Sequence, residues 1–223
     1  MRIVTQTEAL SERFGDQRAV EIICQSGFSG IDYSMFTLNN EKCALAEDDW
    51  KDYLKPVKAT ADRYSVPFTQ SHCPFPTAKK DDSAYNKFML ERTKRAFEAS
   101  AYLGVEIMVV HPVTYDPEGT DFEVNYKLYQ QLKPFAEETG VKIALENMWR
   151  GRERKITDIF NLTHHISPKS CFLLPVSVIY IKAVFISKFK LPVNIRKFRF
   201  TFFLFCIPPY GMSHNKFFIL FRC

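Results

Sequence analysis

The last 65 residues of the chain contain no aspartate or glutamate. This stretch, residues 159–223, carries six lysines and three arginines, whereas residues 1–158 carry 21 basic and 25 acidic residues. Twelve of the 21 phenylalanines also lie in the last 65 residues. Because acidic residues make up roughly an eighth of an average protein, their absence marks a change in the kind of sequence. We interpret residues 161–223 as a non-homologous basic, Phe-rich tail, as a shifted reading frame or read-through would produce.

Other absences argue against several classes of protein. The six cysteines include no C-x-x-C pair, which disfavours a zinc finger or a disulfide framework. No G-x-G-x-x-G follows the first predicted strand, and no G-x-x-x-x-G-K-[ST] occurs anywhere. The first residues lack the apolar run of a signal peptide, so we expect a cytoplasmic protein. The apolar segment Phe172–Phe189 contains Pro175 and Lys182, so it makes a poor membrane-spanning helix.

In the first 158 residues, short apolar runs alternate with amphipathic segments. Strands are predicted at Arg2–Thr5, Gly30–Phe36, Pro67–His72, Val105–His111 and Val141–Glu146. Helices are predicted at Asp16–Gln25, with an aspartate cap, at about Glu47 to Tyr64, at Asp81–Leu103 and at Phe122–Thr139, and a fifth helix starts near Thr157–Asn161. Strands that recur roughly every 30–40 residues with a helix between them form a parallel sheet covered by helices. The pattern therefore predicts an α/β fold, either a parallel barrel or a doubly wound sheet.

Four polar residues lie where predicted strands end: Asp32, His72, His111 and Glu146. In a parallel barrel the functional groups lie at these C-terminal strand ends. The apolar residues of the last strand occupy alternate positions, so Glu146 should lie on the opposite face and point into the barrel mouth. A buried carboxylate costs several kcal/mol unless it is paired or bound to a cation. Glu146 is therefore the strongest candidate for a catalytic or metal-binding residue, with a structural salt bridge as the alternative.

The remaining polar residues each have an alternative to a functional role. His72 and His111 can contact substrate or metal, or can simply line the strand ends through hydrogen bonds. Asp32 can bind substrate or cap the loop that follows it. His164 and His165 have no placed partners and are interpreted as incidental. The charged cluster Arg150–Arg154 follows the fifth predicted strand and could lie at the barrel mouth.

Four segments carry a family resemblance: AVEIICQSGFSGIDYSMF, PFTQSHCPFP, GVEIMVVHPV and VKIALENMW. In this order and at this spacing they resemble the xylose isomerase-like TIM barrel superfamily, which includes sugar phosphate isomerases/epimerases and AP endonuclease family 2. The resemblance covers about residues 1–160. It implies an incomplete (β/α)8 TIM barrel of about five βα units, followed by an irregular or helical tail. The whole chain is also shorter than the ~250 residues of a typical complete barrel.

The resemblance implies that Glu146 binds a divalent metal (Mn²⁺, Mg²⁺ or Zn²⁺) and transfers the proton in sugar isomerisation or epimerisation through an enediolate. His72 and His111 match positions that contact substrate in the isomerases and bind zinc in the endonucleases. The family takes further carboxylates from its later strands, and none follows Asp158 here. We therefore expect a sugar (phosphate) isomerase/epimerase-like protein whose activity is lost or nearly lost.

The expected partner is a small-molecule sugar or sugar phosphate, with a homo-oligomer also compatible. Duplex DNA binding needs a basic footprint, and residues 1–158 carry a net charge of −4. Nucleic acid is therefore not expected, and an endonuclease IV-like zinc enzyme that uses His72, His111 and Glu146 is the lesser alternative. A non-enzymatic product that associates with membranes through its tail is the third.

Overall fold

The computed structural model describes residues 2–113 and 122–146, together with the backbone of four short strands in the C-terminal part. The predicted start of a fifth helix at Thr157–Asn161, the cluster Arg150–Arg154 and the pair His164–His165 lie outside the described residues. Most of the apolar segment Phe172–Phe189 lies outside them as well. Among the described residues, no helix combines the length and the hydropathy needed to cross a membrane.

Five strands alternate with helices along the first 146 residues. The strands are β1 (Arg2–Gln6), β2 (Gly30–Ser34), β3 (Phe68–His72), β4 (Ile107–Val110) and β5 (Lys142–Glu146). The helices are α1 (Glu8–Phe14), α2 (Asp16–Gln25), α3 (Trp50–Arg63), α4 (Ser83–Leu103) and α5 (Phe122–Thr139), with 3₁₀ turns at Phe36–Asn39 and Ala44–Ala46. The strands are parallel, so the predicted α/β fold of a partial TIM barrel is confirmed.

The chain divides into two units, of which the first comprises residues 1–33, 55–69 and 175–223. In this unit β1 pairs in parallel with β2, with Val4 opposite Gly30 and Gln6 opposite Asp32. The amide of Ile31 donates a hydrogen bond to the carbonyl of Pro67, just before β3. Helix α2 buries an apolar face, which consists of Ala19, Val20, Ile22, Ile23 and Cys24.

The second unit comprises residues 34–54 and 70–174 and contains the ends of the strands that carry the candidate site. Its strands follow the order β3, β4 and β5, all parallel. Helix α4 is capped at its start by Asp82, whose side chain accepts a hydrogen bond from the amide of Tyr85. It ends at Gly104, which adopts the left-handed conformation (φ 80°) that favours glycine. The buried apolar residues of this unit include Met89, Phe97, Leu103, Met108, Val109, Tyr129, Leu132, Ile143 and Leu145.

Some element predictions need correction. Asp16 is the first residue of α2 and not its cap, because Gly15 takes the cap position and the Asp16 carboxylate accepts a hydrogen bond from the Tyr33 hydroxyl. Strand β2 ends at Ser34, and the residues from Phe36 onward form a 3₁₀ turn. Helix α1 was not predicted at all; none of its residues is buried, so it carries no amphipathic signal.

In the tail, the structure describes the backbone of four short strands. They are β6 (Cys171–Leu174), β7 (Val176–Val178), β8 (Thr201–Cys206) and β9 (Phe217–Arg222). In the second unit β6 pairs in parallel with β5; in the first, β9 pairs with β1 in parallel and with β8 in antiparallel orientation. Phenylalanine and β-branched residues favour strands, and their uniform apolar runs hide the alternation by which strands are recognised in a sequence.

Candidate metal centre

The register of β3, β4 and β5 places three candidate ligands on one face of the sheet. His72 lies opposite Val109 on β4, and Val109 lies opposite Ala144 on β5. Register partners in parallel strands point to the same side, and the side repeats every second residue. His111 and Glu146, two residues beyond Val109 and Ala144, therefore share the face of His72. Alternation within the fifth strand alone predicts this same placement for Glu146.

The three side chains meet at the strand ends. The Nε2 atom of His111 lies 2.6 Å from Oε2 of Glu146, within hydrogen-bonding distance. The Nε2 atom of His72 lies 3.8 Å from the same oxygen. The side chains are only 6% (His72), 11% (His111) and 16% (Glu146) exposed. The structure thus brings together three of the four polar residues predicted from the sequence, with both imidazoles close to one oxygen of Glu146.

Two phenylalanines that sequence reasoning missed border this cluster. The ring of Phe36 lies 6.0 Å from the ring of His72, edge to face, and 6.0 Å from that of His111. The ring of Phe75 meets the His111 ring edge to face at 5.0 Å. The only sequence signal for them is that Phe36 is the last residue of one predicted strand and Phe75 follows shortly after the end of another. They provide apolar, aromatic walls beside the imidazoles.

The electrostatics of the cluster keep Glu146 ionised. Burial by itself raises the pKa of this carboxyl, because the charged form loses its hydration. The hydrogen bond with His111 and the nearby imidazole of His72 together outweigh burial and hold the pKa of Glu146 well below its usual range. An ionised carboxylate is the form that binds cations.

The donor set fits a divalent cation. His72, His111 and Glu146 each offer one ligand atom, and these atoms all lie within 4.8 Å of one another. Two ligands bound to one zinc ion at about 2.0–2.1 Å can be at most about 4.2 Å apart, so small side-chain movements suffice to enclose an ion. Two imidazoles and a carboxylate suit zinc best, whereas Mg²⁺ and Mn²⁺ favour more oxygen ligands. Among the residues that the structure describes, no other such group of three comes together.

The prediction that Asp32 lies at a strand end is wrong: it is the central residue of β2 (Gly30–Ser34), and it is not a member of this cluster. It is fully buried, and its backbone carbonyl accepts a hydrogen bond from the amide of Thr7. Its proposed contact with substrate stays a prediction.

Five parallel strands with intervening helices, and candidate metal ligands gathered at the strand ends, define a protein of the β/α-barrel class. The family model of the xylose isomerase-like TIM barrel matches residues 20–175, so the chain belongs to this family. The predicted family resemblance is therefore confirmed. No curated protein sequence matches the chain.

Solved structures share this fold. The 3-keto-D-glucoside 4-epimerase YcjR from E. coli is 18% identical with a TM-score of 0.59, over 78% of this chain and 68% of that one. A D-tagatose 3-epimerase-like protein is 22% identical with a TM-score of 0.59, over 78% and 64%. The IOLI protein with a bound zinc atom is 17% identical with a TM-score of 0.54, over 78% and 62%. The chain also spans 26% of a fusion protein of a xylose isomerase-like barrel with a 4-hydroxyphenylpyruvate dioxygenase. These identities show a common fold alone, and the chain spans about two thirds or less of each structure.

Proposed function

We propose that the chain is a sugar (phosphate) isomerase/epimerase-like protein that binds one divalent metal ion through His72, His111 and Glu146, and that its turnover is impaired. The observation that carries this proposal is the convergence of two imidazoles and an ionised carboxylate on one point at the strand ends. Family membership supports the reaction class, and the structural neighbours named as sugar epimerases support a small-molecule sugar as substrate.

Each side chain of the site has a distinct part in this proposal. When bound, a divalent cation would act as a Lewis acid, which polarises a sugar carbonyl and makes the neighbouring C–H bond more acidic. The Glu146 carboxylate accepts that proton, which leaves an enediolate, and returns it to the sugar. His72, His111 and Glu146 would together hold the cation, and the rings of Phe36 and Phe75 lie beside the imidazoles.

The proposed impairment follows from the count of carboxylates. Epimerisation removes a proton from one face of a carbon and delivers one to the other face, so it needs two proton-transfer groups. In the described part of the chain Glu146 is the one carboxylate in the cluster, and no aspartate or glutamate follows Asp158. We assign residues 1–160 to the partial barrel and residues 161–223 to a tail that supplies no second carboxylate.

Proton exchange without epimerisation tests this proposal. The zinc- or manganese-loaded full chain is incubated in D₂O with D-allulose, D-fructose or D-tagatose, and the sugar is followed by NMR and chromatography. We expect slow incorporation of deuterium next to the carbonyl, little or no epimer, and no exchange with Glu146→Gln. The variant Glu98→Gln, on the surface of α4, is the matched control. Rapid epimerisation would contradict the impairment, and exchange that survives Glu146→Gln would contradict the role of Glu146.

A zinc-dependent endonuclease is the second candidate, because the donor set of two histidines and one glutamate is the kind that zinc prefers. The net charge of −4 over residues 1–158 speaks against a duplex as substrate. We therefore expect no cleavage of a duplex oligonucleotide with one abasic site by the zinc-loaded chain. Cleavage that disappears with Glu146→Gln would reverse the ranking of the two functions.

A further inference from the structure

We propose that Thr77, Asn125 and Tyr129 are positioning residues that hold the segment 110–113, and with it the His111 imidazole, in place to bind a metal. This inference rests on the proposed function, since it concerns how one ligand of the proposed metal site is positioned. Two of the three residues lie on one helix, α5, and the third lies in the loop after β3. All three are buried, with exposures of 4%, 5% and 0%.

Asn125 binds both backbone groups of one residue. Its Oδ1 atom accepts a hydrogen bond of 2.7 Å from the amide of Val113, and its Nδ2 atom donates one of 2.9 Å to the carbonyl of the same residue. No other side chain of this size presents a donor and an acceptor side by side in this way. The pair of bonds fixes the position and the orientation of Val113, two residues beyond His111.

Tyr129 and Thr77 hold the segment on the other side of Pro112. The hydroxyl of Tyr129 donates to the carbonyl of Val110 at 3.1 Å. The hydroxyl of Thr77 donates to the carbonyl of His111 itself at 3.2 Å. Asn125 and Tyr129 are four residues apart on α5 and so lie on the same face of the helix.

The segment 110–113 depends on these side chains because the sheet does not provide hydrogen-bond partners for it beyond the end of β4. Strand β4 ends at Val110, and Pro112 has no amide hydrogen with which to continue the ladder. Buried backbone groups without partners cost free energy, so side-chain partners are needed where β4 stops. These partners converge on the residues that flank His111, whose imidazole is the one within hydrogen-bonding distance of Glu146.

Metal affinity should therefore depend on these three residues although none of them is a ligand. Residues that orient metal ligands typically change affinity about 10–100-fold when they are replaced. We expect Asn125→Ala to raise the dissociation constant for Zn²⁺ and Co²⁺ within that range, because it releases both bonds to Val113. Thr77→Val should have a smaller effect, and Thr77→Ser, which keeps the hydroxyl, should bind like the wild type. Tyr129→Phe removes one hydroxyl and leaves the ring in the core.

The test is a Co²⁺ titration of the full chain, read by the visible absorption of the bound ion and by calorimetry. Thr139→Val is the matched control, since it removes a hydroxyl at the other end of α5, which donates to the carbonyl of Phe135 and accepts from the amide of Val141, outside the segment 110–113. We expect the band shape and affinity to change in Asn125→Ala and Thr77→Val but not in Thr77→Ser or Thr139→Val.

The outcomes separate this inference from the proposed function. If the wild type binds Co²⁺, Glu146→Gln does not, and Asn125→Ala, Thr77→Val and Tyr129→Phe bind with wild-type affinity and spectrum, the positioning role is wrong and the metal site stands. If the wild type does not bind Co²⁺, both are wrong. Should Asn125→Ala fail to fold, the contrast between Thr77→Val and Thr77→Ser decides, because these two variants differ mainly in the hydroxyl.

Discussion

Glu146 lies beside two imidazoles, and both of its ion pairs in the described structure are with His72 and His111. A carboxylate paired with an arginine would be held permanently, because the guanidinium keeps its proton. An imidazole can release its proton near neutral pH and then bind a metal with the freed nitrogen. The partners of Glu146 therefore favour the interpretation as a metal site over that of a structural salt bridge.

A second feature at the scale of single residues is the different burial of three thiols. Burial raises the pKa of Cys73 to about 12 and that of Cys24 to about 11, whereas Cys43 is partly exposed. Only the thiolate reacts with alkylating agents. We predict that iodoacetamide at pH 8 labels Cys43 and spares Cys24 and Cys73 in the folded chain, as measured by mass spectrometry of peptides. Equal labelling of Cys73 and Cys43 would contradict the described packing.

The raised pKa values of Cys24 and Cys73 also predict how the free energy of unfolding changes with pH. An unperturbed thiol has a pKa of 9.0, and the folded values are higher, so the folded chain binds more protons above pH 9. Their contribution to the free energy of unfolding is complete below pH 9 and is lost as the pH rises through 11 to 12.

At the scale of elements, β2 begins with Gly30, whose backbone conformation does not require a glycine. A Cβ atom at Gly30 would lie 2.6 Å from Cγ2 of Thr69 and 3.2 Å from Cγ2 of Val4. Overpacking of this kind typically costs about 1–3 kcal/mol. We predict that Gly30→Ala lowers the free energy of unfolding by this amount in urea titrations.

A double variant checks the cause. Thr69→Ser removes Cγ2 and keeps the hydroxyl that donates to the carbonyl of Ile31. Because this hydroxyl would still lie 3.1 Å from the new Cβ atom, Gly30→Ala/Thr69→Ser should regain part of the lost stability. The single variant Thr69→Ser is the control. If the changes in the free energy of unfolding caused by the two substitutions simply add, the close contact with Thr69 is not the reason that position 30 needs a glycine.

The sequence predicts the parallel strands and most helices because each has its own periodic pattern or glycine stop. It predicts the face of Glu146 for the same reason. It could not predict that His72 and His111 approach the same oxygen, since this depends on the register of strands that are far apart in the chain. The roles of Asn125 and Tyr129 were likewise hidden, because on an amphipathic helix a buried asparagine or tyrosine looks like an ordinary surface or core residue.

At the scale of the whole molecule, we propose that the change in composition after residue 158 reflects a disrupted reading frame. We predict that translation of the other two frames beyond the codon for about Asn161 contains an Asp-x-Gly-His string and, further on, a glutamate. Such residues would supply the later carboxylates that the family resemblance implies. Two frames without either feature would contradict the disruption, though not the barrel-type fold of the first part.

Calorimetric titration of the metal-free full chain with Zn²⁺ measures directly whether His72, His111 and Glu146 hold a metal ion together. We predict one ion per chain for the wild type and for the surface control Glu98→Gln. Affinity should fall more than roughly 100-fold in Glu146→Gln and in His111→Ala, because each loses a ligand of a three-ligand set. Zinc binding of unchanged strength in Glu146→Gln, or no binding by the wild type, would contradict the account.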